Sequence, residues 1–162
     1  MIAKLIVEGK EFDIEILDPK LQELIAPKKK TGYERVSKND TYFSVRDKDG
    51  LYINSDFGDD VDINYYNIAN YYSDRTVAES NARADKLMRQ LRRVAVEHRK
   101  NDNPTERFYI YYLKTAGILQ LRRDSDDRYI GPWFDSLHAG ANAIEAFKDE
   151  LIWYFTEYRD SL

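Results

Sequence analysis

Residues 42–53, YFSVRDKDGLYI, decide the fold, because a similar stretch, YIYYLKTAGILQL, returns at residues 109–121. Each stretch consists of two apolar and aromatic runs joined by a turn that ends in glycine. A further aromatic pair follows each stretch just ahead of a helical pattern, Tyr71-Tyr72 in the first copy and Trp133-Phe134 in the second. Self-similarity of this kind predicts a repeated strand-strand-strand-helix unit.

Period-two alternation and residue composition predict the strands. Apolar and polar residues alternate through residues 1–17 across a turn at residues 8–10, which indicates an N-terminal hairpin. Four further segments are rich in β-branched and aromatic residues, as half-buried strands are. These predicted strands are residues 42–46, 51–54, 108–114 and 118–122.

Helical spacing predicts one short helix and two longer ones. Asp18 before Pro19 suits a helix start, and the short helix covers residues 20–26. Thr76 lies three residues before Glu79, which is the capping-box spacing, so we expect it to open a helix that runs to residue 100. One arc of this helix is predicted to pack inward, namely Leu87, Leu91, Val94, Ala95 and His98.

The fold class is therefore α+β, with antiparallel meanders packed on helices. Residues 1–30 are predicted to form the N-terminal hairpin, the short helix and a basic linker. Residues 31–162 form the duplicated body, with repeats at residues 33–100 and 106–162.

Two assignments stay open in the sequence. Residues 65–72 allow a strand or an extra helical turn, and comparison with the second copy favours an extended backbone. The last helix is capped by Asp135 or Ser136 if it starts early, whereas Gly140 favours a start near Asn142.

Bulk composition is that of a globular protein: 43% of the residues are hydrophobic, 33% are charged and none is cysteine. Disulfides, thiolate metal sites and a cysteine nucleophile are thereby excluded. No apolar run reaches membrane-spanning length and no signal-peptide pattern opens the chain, so a cytoplasmic location without membrane contact is expected.

No catalytic signature is present, so we expect neither an enzyme nor a cofactor or metal site. Asp56-Phe57-Gly58 matches the magnesium-binding tripeptide of protein kinases, but the chain is short and lacks the other kinase motifs. His98 and His138 have no neighbouring carboxylate or serine that completes a triad or a metal pair, so packing or capping is the better interpretation.

Charge is segregated although the net charge is only −4. The acidic candidates, Asp56, Asp59, Asp60 and Asp62, lie in a stretch with seven aspartates between residues 40 and 62. A solvated loop, a hard-cation site and a protein-facing acidic surface are the alternatives for these aspartates, and the calcium-loop spacing is missing.

The basic candidates are Arg89, Arg92, Arg93 and Arg99, on the predicted outer arc of the long helix. They suit a solvated face, an acidic protein partner or nucleic acid.

Paired tyrosines offer a third kind of candidate. Neighbouring side chains on a strand point to opposite faces, so the pairs at residues 65–66, 71–72 and 111–112 cannot all be buried. Exposed tyrosines suit protein recognition and can also stack on bases. The residues chosen for partner contact are Tyr65, Tyr66 and Tyr71.

The chain resembles a group of small accessory proteins encoded by phages and prophages of Gram-positive bacteria. The resemblance rests on KKKTGYERV at residues 28–36, YFSV at residues 42–45, YNIANYY at residues 66–72 and the capped basic helix that follows. The chain departs from the pattern at Ala69, where glycine is expected, and at residues 138–140, where acidic helix starters are usual. What the resemblance implies is a phage gene in a bacterial host cell, a setting in which counter-defence is frequent.

The leading hypothesis is a non-enzymatic phage protein that binds and inhibits a bacterial defence component, with a CRISPR-Cas nuclease as the most specific candidate (an anti-CRISPR). Its aspartates would imitate phosphates toward a basic channel, and its tyrosines would supply apolar contact. The alternative is a protein that binds nucleic acid or nucleotides through the basic helix and the tyrosine-rich sheet. The repeats predict either internal pairing in a monomer or a homodimer.

Overall fold

The computed structural model describes residues 2–7, 10–19, 30–46, 50–99, 106–124 and 132–159. The chain divides into two units, Met1–Thr31 and Gly32–Leu162. In the first unit β1 (Ile2–Val7) pairs antiparallel with β2 (Lys10–Glu15), and Lys4 forms an exposed ion pair with Glu11 at 2.7 Å. Residues 8 and 9 of the predicted turn, the short helix at residues 20–26 and most of the basic linker lie outside the described residues, and Lys10 is the first residue of β2.

The second unit contains two antiparallel hairpins, each followed by helices. The strands are β3 (Thr41–Arg46) with β4 (Gly50–Ser55), and β5 (Arg107–Leu113) with β6 (Ile118–Asp124). The helices are α1 (Asp60–Asn67), α2 (Arg75–Glu97), α3 (Leu137–Ala146) and α4 (Lys148–Trp153), and a π-helical turn follows at Tyr154–Tyr158. The predicted α+β class is confirmed.

A single bridging residue stands where each repeat was expected to have a third strand. Phe43 and Tyr72 exchange both backbone hydrogen bonds, at 2.8 and 2.9 Å, and Phe108 and Phe134 do the same at 2.8 and 2.7 Å. The prediction of a full third strand is therefore wrong for the first repeat, where one aromatic residue extends the hairpin before the next helix begins. In the second repeat residues 125–131 lie outside the described residues, so the bridge at Phe134 is what the structure describes there. Residues 65–72, left open in the sequence, comprise the end of α1 followed by this bridge.

Helix α2 is the central packing element of the second unit. Its C-terminal half joins a core made with the second hairpin, α3 and α4: Leu87, Leu91, Ala95, Phe108, Ile110, Phe134, Ala139, Ala143, Leu151 and Phe155. Its N-terminal half buries Ala78 and Ala82. No helix within the described residues is long and apolar enough to cross a membrane.

The ends of α2 correct two expectations. Asp74, not Thr76, caps the helix, since its carboxylate accepts hydrogen bonds from Thr76 N at 2.7 Å and Val77 N at 3.2 Å. His98 does not join the inward arc; it is exposed and is the C-cap residue, with its backbone N–H bonded to Val94 O. Both changes follow from the unsatisfied backbone groups at helix ends.

The early start of α3 resolves the second open assignment. Ser136 caps the helix and accepts a hydrogen bond from Ala139 N at 3.2 Å. Gly140 lies inside the helix rather than before it. A Cβ at Gly140 would lie 2.5 Å from Leu121 Cδ2, so the glycine lets α3 approach β6 closely.

Removal of the first unit tests its independence. We expect the fragment comprising residues 32–162 to keep cooperative thermal unfolding, because the core described above lies wholly within it. Near-UV circular dichroism and light scattering on the full chain and the fragment would measure its packing and oligomeric state. A fragment without a cooperative transition would contradict the prediction.

Gly32 tests how the second unit begins. Its φ is +86°, and a Cβ there would lie 2.6 Å from Val77 Cγ2. We expect Gly32→Ala to lower the free energy of unfolding by about 2–4 kcal/mol, through both the left-handed backbone and the clash. Gly58→Ala is the matched control, since its φ is +73° but no atom lies within 4 Å, and it should cost only about 1 kcal/mol. If urea titrations show equal losses of unfolding free energy for the two variants, the clash with Val77 does not contribute.

Candidate functional site

A buried carboxylate holds together the start of the second unit. Asp56 is 2% exposed and accepts two hydrogen bonds from Arg35, at 3.0 Å from Nε and 3.3 Å from Nη2. Tyr71 donates its hydroxyl to the same carboxylate at 2.7 Å, and Gly58 donates its backbone N–H at 2.7 Å. With this set of donors, the Arg35 guanidinium first among them, the pKa of Asp56 is lowered to about 2.

A second buried carboxylate, Asp62, fixes the first turn of α1. It accepts hydrogen bonds from Phe57 N at 2.7 Å, from Gly58 N at 3.0 Å and from the Tyr42 hydroxyl at 2.8 Å. The N–H of Gly58 is thus shared between the two carboxylates. Residues 56–58 are consequently clamped from both ends, and their backbone orientation is set.

Two tyrosine rings lie between these carboxylates and close the network. Tyr42 and Tyr71 stack with their centroids 4.0 Å apart and an angle of 10° between the planes. Burial raises the pKa of both phenols, that of Tyr71 to about 12. Both hydroxyls therefore remain protonated at neutral pH and donate hydrogen bonds to the two carboxylates.

We call the hydrogen bonds of Asp56 and Asp62 the clamp. The helix that it holds, α1, is inverted, in the sense that it buries a charged side chain and exposes its apolar ones. Among the eight residues of α1 only Asp62 is buried, while apolar side chains of the helix and its flanks face solvent. Phe57 is 61% exposed and Val61 is 58% exposed. Exposed apolar side chains at these positions make the helix and its flanks a candidate interaction surface.

We define the α1 surface by the exposed side chains of this region. It consists of the exposed apolar and acidic side chains, namely Phe57, Asp59, Asp60, Val61, Ile63, Tyr66 and Ile68. Asp59 also caps α1 by accepting hydrogen bonds from Val61 N at 2.9 Å and Asp62 N at 3.0 Å. Apolar groups are thus interspersed with two carboxylates on a short, well-anchored element.

Some of the predicted contact residues do not lie on this surface. Asp56, Asp62 and Tyr71 were expected to be exposed. Their side chains are 4% exposed or less, because each forms hydrogen bonds inside the buried network. Tyr65 is half-buried, with its ring 5.5 Å from the Arg46 guanidinium. The remaining acidic and tyrosine candidates, Asp59, Asp60 and Tyr66, are exposed.

Sequence reasoning missed four residues of this region. Arg35 and Tyr42 bind carboxylates that lie 21 and 20 residues further along the chain, respectively, a separation that local patterns do not reveal. Phe57 belongs to the tripeptide set aside as a chance match. Val61 could have been found, since a valine beside three aspartates interrupts an otherwise polar helix start.

The basic candidates occupy the solvent side of α2. Arg89, Arg92 and Arg93 are exposed, and Arg93 forms an ion pair with Glu97 at 3.7 Å. Arg99, just after the helix, places its guanidinium 5.0 Å from the ring centroid of Trp133. The four arginines therefore do not form one equivalent row: Arg99 belongs to the neighbourhood of the second hairpin.

A cavity of about 420 Å³ lies between β4, α2 and α4, where the sequence predicted no site. Leu51, Leu87 and Phe147 contribute its apolar lining. At its rim Arg83 donates two hydrogen bonds to Glu150, at 2.7 and 3.1 Å, which lowers the pKa of that carboxyl. The cavity thus has the size of a ligand site, but the charges of Arg83 and Glu150 satisfy one another.

Comparison with protein families, with curated proteins and with solved structures finds no match to this chain. Within the described residues, no cluster of three or more His, Asp or Glu side chains is arranged to hold a metal ion.

Replacement of the buried carboxylate tests the clamp. We expect Asp56→Asn to lower the free energy of unfolding at pH 7 by about 2–4 kcal/mol, since the Arg35 pair loses its charge. The pKa of Asp56 is lowered in the folded state, so its stabilisation is complete above the unfolded value of 3.8 and lost as pH falls toward 2.

The difference between the two proteins in urea titrations should therefore shrink between pH 5 and about pH 2. Asp60→Asn, the same change at an exposed carboxylate, should alter stability by less than about 0.5 kcal/mol. A pH-independent difference would show that the charge of Asp56 contributes nothing.

Proposed function

We propose that this protein is a non-enzymatic inhibitor that docks through its α1 surface on a basic surface of a bacterial defence protein. The observation that carries the proposal is the inverted helix, which buries Asp62 and exposes Val61 and its apolar neighbours. A CRISPR-Cas nuclease is the most specific candidate partner, and the site of action is the cytoplasm of the bacterial host. The resemblance to phage accessory proteins supports this setting.

The composition of the α1 surface favours a partner with both apolar and cationic groups. Phenylalanine and tyrosine supply large contact areas at low entropic cost, and such residues dominate binding energy at protein interfaces. Asp59 and Asp60 add negative charge beside them. Channels that bind nucleic acid are lined by lysine and arginine, so carboxylates at this position attract the protein to such a channel and compete with phosphates.

The rigidity of the surface supports binding as well. Backbone groups of residues 57 and 58 are held by two buried carboxylates, and Asp59 caps the helix that presents Val61. A surface that is ordered before binding loses less conformational entropy when the complex forms. The buried network thus contributes to affinity without touching the partner.

Plaque formation tests the inhibitory role. A phage carrying this gene should plate better than its deletion derivative on hosts with the targeted defence system, and the two should plate equally on defence-negative hosts. Equal plating across a panel of CRISPR-Cas and other defence systems would contradict inhibition.

Matched valines then locate the binding surface. Val61 is 58% exposed and Val96, on α2, is 61% exposed, so Val61→Ser and Val96→Ser remove similar apolar areas. We expect Val61→Ser and Phe57→Ala to abolish the plating advantage, and Phe57→Ala to weaken binding to the purified target by about ten-fold or more. Val96→Ser should behave as wild type.

Charge reversal separates attraction from contact. Asp60→Lys leaves the helix cap intact and should mainly slow association, with an effect that diminishes as salt concentration rises. Surface plasmon resonance with the target measures this rate. If Val96→Ser weakens binding as much as Val61→Ser does, the α1 surface is not the contact region.

A further inference from the structure

The outer face of the β5-β6 hairpin carries aromatic and cationic side chains along one line. Neighbouring side chains in a strand point to opposite faces, and Phe108 and Ile110 join the core, so Tyr109 and Tyr111 belong to the outer face. Arg122 lies opposite Tyr109 in the register and shares this face. Its guanidinium is 5.7 Å from the ring centroid of Tyr111.

Two more guanidinium groups meet at one end of this line. Arg99 and Arg107 each lie 5.0 Å from the ring centroid of Trp133, and Arg107 is the first residue of β5. The indole therefore gathers two like charges in a small volume. An anion that contacts both would gain favourable interactions from each.

A small cavity lies at the other end, where β5 enters its turn, and its lining combines Tyr111 from the outer face with Tyr112 from the inner face. It has a volume of about 270 Å³ and is lined by Tyr111, Tyr112, Lys114, Phe155 and Arg159. The rings of Tyr112 and Phe155 stack at 6.1 Å and form an aromatic wall, with the Arg159 guanidinium 5.6 Å from the Phe155 centroid. This volume is below the range of about 300–1,000 Å³ that holds drug-sized ligands, so it fits one planar group of a longer ligand.

The length of the line suits a short polymer. Four residue steps separate Arg107 from Tyr111, which is about 13 Å along an extended strand. Nucleotides stacked at about 3.4 Å would place about four units over this distance. Cations that alternate with aromatic rings are the arrangement that binds a phosphate backbone and its bases together.

We propose that the outer face of the β5-β6 hairpin binds single-stranded nucleic acid. Phosphates contact Arg99, Arg107 and Arg122, and a base stacks on Tyr111 at the mouth of the small cavity. A duplex hides the faces of its bases within the stack, so the aromatic groups select single strands. Two acids lie nearby, since Glu106 is paired with Arg123 at 3.0 Å and Asp124 is opposite Arg107 in the register. This binding surface shares no residue with the α1 surface.

Fluorescence anisotropy with the full chain tests the site. The probes are fluorescein-labelled ten-residue oligothymidylate, the corresponding oligouridylate and a ten-base-pair duplex. We expect at least one single strand to bind more tightly than the duplex, with log K falling against log salt at a slope of about −2 for three phosphate contacts. Absence of binding to both single strands at low salt would overturn the proposal, as would a duplex that binds as tightly as they do.

Matched variants assign the contacts. Tyr111→Ala should weaken single-strand binding by roughly 5- to 100-fold through lost stacking, and Arg122→Gln should reduce the salt slope by about 0.7. Tyr52→Ala and Arg92→Gln are the controls, because they remove an exposed tyrosine and an exposed arginine that lie outside this face and should leave affinity unchanged.

Circular dichroism confirms that each variant is folded, and if Tyr111→Ala is not, Arg122→Gln decides alone. If a target variant and its control lose the same amount of single-strand affinity, the proposed site is overturned. Thymidine monophosphate that competes as well as the oligonucleotide, mole for mole, would also overturn it, since a single cavity would then suffice.

Discussion

The Asp56 carboxylate is the interaction on which the first half of the second unit depends. It receives hydrogen bonds from a residue before β3, from the loop after β4 and from the segment between α1 and α2. Three chain segments thereby meet at one carboxylate, in addition to the backbone hydrogen bonds that Asn39 and Asp40 make with Asp56. A buried carboxylate is stable only when its charge is compensated, so the requirement for these donors fixes the path of all three segments.

This constraint explains how an unfavourable helix is tolerated. Helix α1 has eight residues and buries one side chain, which is too little apolar burial to stabilise an isolated helix. The cap by Asp59 and the hydrogen bonds to Asp62 replace the missing hydrophobic contact. The apolar residues are consequently free to face outward, and the helix can present a binding surface instead of serving the core.

Much of the architecture could be predicted from local patterns, and the parts that could not share one physical cause. The strands of the three hairpins and the long helix α2 follow hydrophobic periodicity. The sequence therefore predicted the ends of these strands to within two residues, and it also predicted which face of α2 is exposed. The aspartates were assigned to the surface because composition and spacing suggest solvation. Asp59 and Asp60 are exposed as expected, whereas the burial of Asp56 and Asp62 depends on Arg35, Tyr42 and Tyr71, which only the fold brings close. The cap of α2 was predicted wrongly for a related reason. Thr76 and Asp74 both suit a helix start, and the path of the backbone decides between them.

Helix α2 is shared by both halves of the second unit. Its first turns lie against Gly32 and include Asn81. The Asn81 side chain accepts a hydrogen bond from Tyr158, near the end of the second unit, and donates one to Tyr33, near the start of that unit. Its last turns fill the core beneath the second hairpin. Neither half can lose its structure without exposing the surface of this helix. A molecule that binds either half and not the unfolded chain therefore shifts the folding equilibrium of the whole unit, and occupancy of one surface protects the other against proteolysis.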